Sequence, residues 1–250
     1  ELDRKTLKKY EPELISPELC EQVDDLRFAA QTFYKTTSEP TNDFLVRFTY
    51  NSNAIEGNPL TLRQTALILA EGITPQGVKT ENVLEALNGK DAWEEIKKYR
   101  GKLDKKFVSS IQKELTKNTS CRIIGKYRDS EVRITGSNWQ PPRASQVEKQ
   151  CADAFNEFNK KRRAIHPIEL AAWIHNKIVQ IHPFTDGNGR TARLIMNWVL
   201  LRNNFPPAII EVQNKEDYYK AIEDADEGKQ KTFAEFLARE LIKQYTNKQN

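Results

Sequence analysis

The chain has 250 residues, 38% of them hydrophobic and 30% charged, with 39 Lys+Arg against 35 Asp+Glu for a net charge of +4. That length allows one large domain or two small ones with a buried core; the small, scattered positive excess gives no footprint for nucleic acid, and no apolar run approaches the ~18 residues of a membrane span. Three cysteines (Cys20, Cys121 and Cys151), without a CxxC or a metal-ligand spacing, read as reduced thiols of a cytoplasmic protein.

Taken in chain order, "ELDRKTLKKYEPELI" has no signal-peptide core. "SPELCEQVDDLRFAAQTF" predicts a helix capped by Ser16, with Pro17 in the first turn. A second helix, at about 42–57, carries "NDFLVRFTYNSNAIEG" and stops at Gly57, a good left-handed terminator. Thr61 caps "LRQTALILAEG", which Gly72 closes. Further helices are expected at about 80–99, 104–117, 144–161, 167–181, 188–203, 215–226 and 231–245. Within 188–203, "RLIMNWVLL" is apolar on most sides, which marks a central, enclosed helix.

The segment 125–142, "GKYRDSEVRITGSNWQPP", breaks the pattern. Val132 and Ile134 alternate with Glu131, Arg133 and Thr135 between Gly and a Pro pair, which predicts a short β-hairpin or flap. The expected fold class is all-α with this small β element. The expected organisation is an N-terminal helical extension, 1–75, on a core of 76–250.

Between two helical runs lies "HPFTDGNGRTAR", residues 182–193. Pro183 forbids simple continuation of the first helix, and the next helix starts with unpaired N–H groups and the positive end of its dipole. Gly187 and Gly189 let an anion approach the backbone closely. Arg190 and Arg193, three apart, can reach phosphate oxygens. Asp186 is an oxygen ligand suited to Mg²⁺, and His182 is the one group here whose unperturbed pKa lies near neutrality, which makes it the natural proton acceptor. Phe184 is expected to plug the loop into the core. The combination points to phosphoryl or nucleotidyl transfer. His175 and His166 read as structural, zinc is not expected, and "NKKRR" at 159–163 reads as a solvated helix end.

A second fragment, "SNAIEG", places Ser52 and Glu56 four apart on one helical face. Glu56 stands at the unfavourable pole of the helix dipole, so a compensating cation is expected.

The loop resembles the signature of the Fic family, HxFx(D/E)GNGRxxR, at every specified position, and the likeness spans about 45–245. The resemblance implies transfer of AMP from Mg-ATP to a Ser, Thr or Tyr hydroxyl of a target protein. It implies His182 as base, Asp186 as Mg²⁺ ligand, and ATP binding by Gly187, Asn188, Gly189, Arg190, Thr191, Ala192 and Arg193. Tyr218 and Tyr219 fall where relatives close the nucleotide pocket. Val132, Arg133, Ile134 and Thr135 lie in the flap on which relatives dock a target by strand addition. "SNAIEG" fits the family's inhibitory pattern (S/T)xxxE(G/N), so Glu56 is expected to pair with Arg193 and block productive ATP binding, with Ser52 steadying the helix. In some relatives the same carboxylate helps water remove AMP, and a homodimer is a common arrangement.

Two other functions remain in view at this point. One is a regulatory module that senses nucleotide without transfer. The other is a Doc-like kinase, whose loop typically has Lys where this chain has Gly189.

Overall fold

The computed structural model describes residues 10, 12–36, 42–134 and 136–246. Among them the α-helices are α1 (Pro17–Thr36), α2 (Asn42–Ile55), α3 (Leu62–Ala66), α4 (Thr80–Lys98), α5 (Lys105–Thr116), α6 (Ala144–Lys161), α7 (Pro167–Ile181), α8 (Asn188–Arg202), α9 (Lys215–Asp226) and α10 (Gln230–Thr246), with no strand. The residue chemistry behind the boundaries is visible. Ser16 Oγ accepts from Leu19 N–H, Asp104 caps α5 through Phe107 N–H, and Thr61 with Gln64 closes a capping box on α3. α3 then widens into a π-helical turn, Leu67–Glu71, which Gly72 ends at φ 69°.

α7 and α8 pack along one another at the centre, joined by the loop 182–187. Every residue of α8 from Arg190 to Leu200 is buried, so a helix of low amphipathicity is stable because neighbours cover all its sides. α4 and α5 pack on α8, α6 and α10 on α7, and α1 on α10. α2 lies against α4 and α8, which carries its end to the loop.

The segment before α1 is fixed to this core by one side chain. Glu169, on α7 and 1% exposed, accepts N–H bonds from Glu13 (3.2 Å), Leu14 (2.7 Å) and Ile15 (2.9 Å). The fully buried His166 caps α7, its Nδ1 accepting from Ile168 N–H at 3.2 Å. Its Nε2 therefore carries the proton and faces Asp24 Oδ1 at 3.4 Å. Cys20 is the third member of this cluster, which the sequence did not reveal because it joins α1 to α7. A protonated Nε2 is no metal ligand, so the cluster is an interhelical polar contact.

The expected β-hairpin does not form among the described residues. Val132 and Ile134 are half-buried while Glu131 and Arg133 are exposed, so the alternation survives in an extended strap without a ladder. Its bonds go elsewhere. Arg128 donates from its backbone to Pro183 O (2.8 Å) and from its guanidinium to the carbonyls of His182 (2.8 Å), Ser130 (3.0 Å) and Pro142 (2.6 Å). Trp139 Nε1 donates to Gln180 O at 2.9 Å. One buried cation thus ties both limbs to the core in place of mutual pairing. Thr135 lies outside the described residues. No helix among the described residues is long and apolar enough to cross a membrane.

Candidate active site

α7 ends on His182 in the left-handed region, φ 50° and ψ 59°. A non-glycine residue there carries strain, and strain of this kind clusters at functional sites. Its Nδ1 faces Val179 O at 3.3 Å. With Nδ1 donating to that carbonyl, Nε2 is left as the free acceptor. Burial lowers the imidazole pKa below its ordinary 6.5 and Arg128 adds to this, against the opposing pull of the Val179 carbonyl and of Glu56 and Asp186. His182 is accordingly neutral at pH 7, ready to take a proton.

The loop is held from within. Phe184 is fully buried and packs on Tyr127. Asn188 clasps the backbone of Phe184 from both sides, its Oδ1 accepting from Phe184 N–H (2.9 Å) and its Nδ2 donating to Phe184 O (2.8 Å). Its side chain therefore shapes the loop. Gln112, fully buried on α5, donates to Asp186 O (3.1 Å) and accepts from Gly125 N–H (2.6 Å), linking loop and strap. Gly187 turns at φ 79°, where a side chain is disfavoured and a methyl would press on Thr116.

Asp186 leaves half its side chain exposed while Gly187 N–H (2.7 Å) and Arg190 (3.1 Å) fix its two oxygens. Arg190 is 3% exposed and held on its other side by Glu85 at 2.8 Å. Arg193, 2% exposed, donates to Ser52 Oγ (3.0 Å), Ser52 O (2.7 Å), Glu56 Oε1 (2.7 Å) and Tyr218 OH (3.2 Å). The two arginines thus take different partners. Thr191 and Ala192 are fully buried, and the Thr191 N–H is already given to Gly187 O at 2.9 Å.

Glu56 immediately follows the last residue of α2, its carboxylate at the amino end of α8. A methyl added at Gly189 would collide with Glu56 Oε1 and come within 3.1 Å of Glu56 Cδ. The glycine makes room for this carboxylate. Partial burial would raise the Glu56 pKa, but the charge and hydrogen bond of Arg193, with Arg190 and His182 nearby, hold it below the usual carboxylate range. Glu56 is an anion seated where a helix amino end and an arginine favour one.

Behind Arg193 the polar chain continues inward. Tyr218, 1% exposed, lies beneath the guanidinium and does not line an open pocket. Its OH meets His175 Nε2 at 2.9 Å, and His175 Nδ1 meets Asn176 Oδ1 at 3.1 Å. Tyr219 is 39% exposed and donates to Ile55 O at 3.3 Å, at the end of α2. Burial, with Arg193 nearby, pushes His175 down from 6.5 to about 3 despite the Asn176 bond. The unfolded chain therefore binds one more proton between those values. This contribution to stability is complete above pH 6.5 and is lost as pH falls toward 3. From pH 7 to pH 5 the loss from this group is about 2 kcal/mol. Urea unfolding at both pH values should show a smaller acid loss in His175→Gln than in wild type.

Glu85, Gln112 and Arg128 were not found by sequence reading. Their partners are 105, 74 and 54 residues away, and an isolated Glu, Gln or Arg on a helix or loop carries no local signal.

A neutral histidine, a half-exposed carboxylate and two arginines stand together around the glycine-lined start of a central helix. Residues 102–200 match the Fic/DOC family. The protein adenylyltransferase Fic of Nematostella vectensis is 39% identical over 199 residues, covering 76% of this chain and 45% of that protein. The protein adenylyltransferase fic-1 of Caenorhabditis briggsae is 31% identical over 234 residues, covering 90% of this chain and 46% of that protein. The solved structure of Fic-1 from C. elegans superposes with a TM-score of 0.80 at 28% identity, over 92% of this chain and 72% of that one. The chain belongs to the Fic/DOC family. It spans a little under half the length of the curated relatives it matches.

Proposed function

We propose that this chain is a self-inhibited protein adenylyltransferase, moving AMP from Mg-ATP to a hydroxyl of a target protein. The observation that carries the proposal is the Glu56 carboxylate on Gly189 and Arg193, an anion seated at the start of α8. A carboxylate there stands where phosphate oxygens of a nucleotide would sit, so the resting protein excludes ATP or misaligns it.

With Glu56 withdrawn, Arg193 and the first amides of α8 bind the phosphates. Gly189 leaves space for an internal phosphate, which favours AMP transfer over the Doc-like kinase reaction. His182 Nε2 takes the proton of the target hydroxyl, whose oxygen attacks the α-phosphorus while the bond to the pyrophosphate oxygen breaks. Asp186 fits Mg²⁺, because its carboxylate is half exposed and already oriented, and the other ligands would be water and phosphate. The metal would supply charge stabilisation to the phosphate oxygens. Val132, Arg133 and Ile134 form an extended strap suited to pairing with a target segment, and the same target-binding role is proposed for Thr135. Tyr218 acts beneath Arg193, and Tyr219 beside the end of α2. Residues 1–75 serve as regulatory extension and 76–250 as catalytic core, in a cytoplasmic protein.

The test is label transfer by Glu56→Gly with ATP labelled at the α- or the γ-phosphorus. Label from the α-phosphorus alone on protein supports adenylylation. Label from the γ-phosphorus assigns a kinase, and ATP binding without label assigns a sensing module. Because His182 titrates below 6.5, transfer should stay level above neutrality and fall only on the acid side. A rate that falls between pH 7 and pH 8 would remove His182 as the base.

A further inference from the structure

We propose that Glu85 is a positioning residue that holds the inhibitory turn shut at a point separate from Arg193. This rests on the reading of Glu56 as the inhibitory group. Glu85, on α4, has both carboxylate oxygens engaged. Oε1 accepts from Arg190 Nη1 at 2.8 Å and Oε2 accepts from Asn58 Nδ2 at 2.7 Å. Asn58 follows Glu56 by two residues and is 9% exposed. Its own N–H returns to Asn53 O at 3.1 Å, and its Oδ1 accepts from Leu60 N–H at 3.0 Å. The turn carrying Glu56 is therefore fixed at two points on α8. One is direct, Glu56 on Arg193; the other runs through Asn58 and Glu85 to Arg190.

The second connection has physical weight because it is poorly hydrated. The Arg190 side chain is 4% exposed and that of Glu85 is 19% exposed. Breaking such a pair from one side leaves a buried charge short of a partner. Arg190 is not stranded completely, since Asp186 still receives its Nη2. Asn58 has no comparable substitute: its remaining acceptor, Asn82 O, is neutral and 3.3 Å away. Loss of Glu85 therefore loosens the turn more than it loosens α8. Nucleotide phosphates arriving at Arg190 would compete with Glu85 for the same guanidinium, so filling the site would pull on the turn that obstructs it.

Two variants separate this device from general structural support. Glu85→Gln keeps the shape and removes the charge. Asn58→Asp keeps the acceptor to Leu60 N–H and replaces the donor facing Glu85 by a second carboxylate. Amide exchange of Glu56, Gly57 and Asn58 reads the turn without any nucleotide. Each variant should speed it about fivefold, the low end of typical coupling between sites, with exchange in α8 unchanged. ATP titration by calorimetry should show about fivefold tighter binding for each variant, and no gain when either is added to Glu56→Gly. Unchanged exchange in the turn would overturn the proposal. So would an equal effect on ATP affinity with and without Glu56, which would make Glu85 a simple charge beside the nucleotide. If Glu56→Gly transfers nothing, the enzymatic reading fails, while the exchange data still decide the role of Glu85.

Discussion

Glu56→Gly should raise AMP transfer by on the order of 10²-fold, because a misplacement of about 1 Å in the reacting groups costs a comparable factor. The substitution acts on three things together. It vacates the space against Gly189 Cα, frees one donor of Arg193, and removes a negative charge from the amino end of α8. All three favour an incoming polyphosphate. Ser52 keeps Arg193 in place after the change, since its Oγ and carbonyl accept two of the guanidinium's bonds. Tyr218 supports the same guanidinium from below. The variant should therefore gain an ATP site without losing the shape of that site. Gly also suits the position immediately after the end of α2, where the chain is already turning into Gly57 at φ 95°. Rates for wild type and variant, at ATP concentrations above and below half-saturation, separate a gain in binding from a gain in alignment.

The second large effect belongs to His182. In the activated Glu56→Gly protein, His182→Ala should lower transfer by about 10²- to 10⁴-fold, the usual worth of a positioned base. ATP affinity should hardly change, because the role proposed for the imidazole is toward the target hydroxyl and not the nucleotide phosphates. The backbone at 182 complicates this variant, since alanine at φ 50° is strained. His182→Asn is the companion, because asparagine tolerates the left-handed region better and still provides no base. Equal loss in both variants, with thermal midpoints close to that of Glu56→Gly, assigns the effect to the missing proton acceptor. Transfer that survives in His182→Asn would remove His182 from the reaction.

Much of the scaffold can be read from local chemistry. Ser16, Thr61 and Asp104 act as caps, and the all-round apolar character of "RLIMNWVLL" marked the helix that the structure encloses. Gly57, Gly72 and Gly187 all turn with positive φ, as their positions between helices suggested. The strap at 125–142 shows the limit of such reading. Alternation predicts which side chains face inward, and Val132 and Ile134 are indeed the half-buried pair. Alternation does not say where the hydrogen bonds go, and here Arg128, by backbone and guanidinium, donates to the loop and the Trp139 indole donates to α7.

The candidate site divides along the same line. Residues 182–193 carry their chemistry in one contiguous stretch, so the base, the carboxylate, the glycines and the arginines are all visible in sequence. What each side chain does is not. Asn188 spends its amide on Phe184, and Arg190 turns to Glu85 and Asp186. Tyr218 goes under Arg193. These outcomes depend on contacts made across the fold, which spacing along the chain does not encode. The proximity of Glu56 to Gly189 is of that kind as well, and it shows why a side chain at 189 would not fit beside that carboxylate.

The central claim is that a single carboxylate blocks a competent nucleotidyl-transfer site. Intact mass spectrometry of wild type, Glu56→Gly and Glu56→Gly/His182→Ala after incubation with Mg-ATP tests it most directly. The prediction is a gain of one AMP in Glu56→Gly alone, by modification of its own chain, with the other two proteins unchanged. Equal AMP gain by wild type and Glu56→Gly would contradict the block, and gain by the His182→Ala double variant would contradict the base.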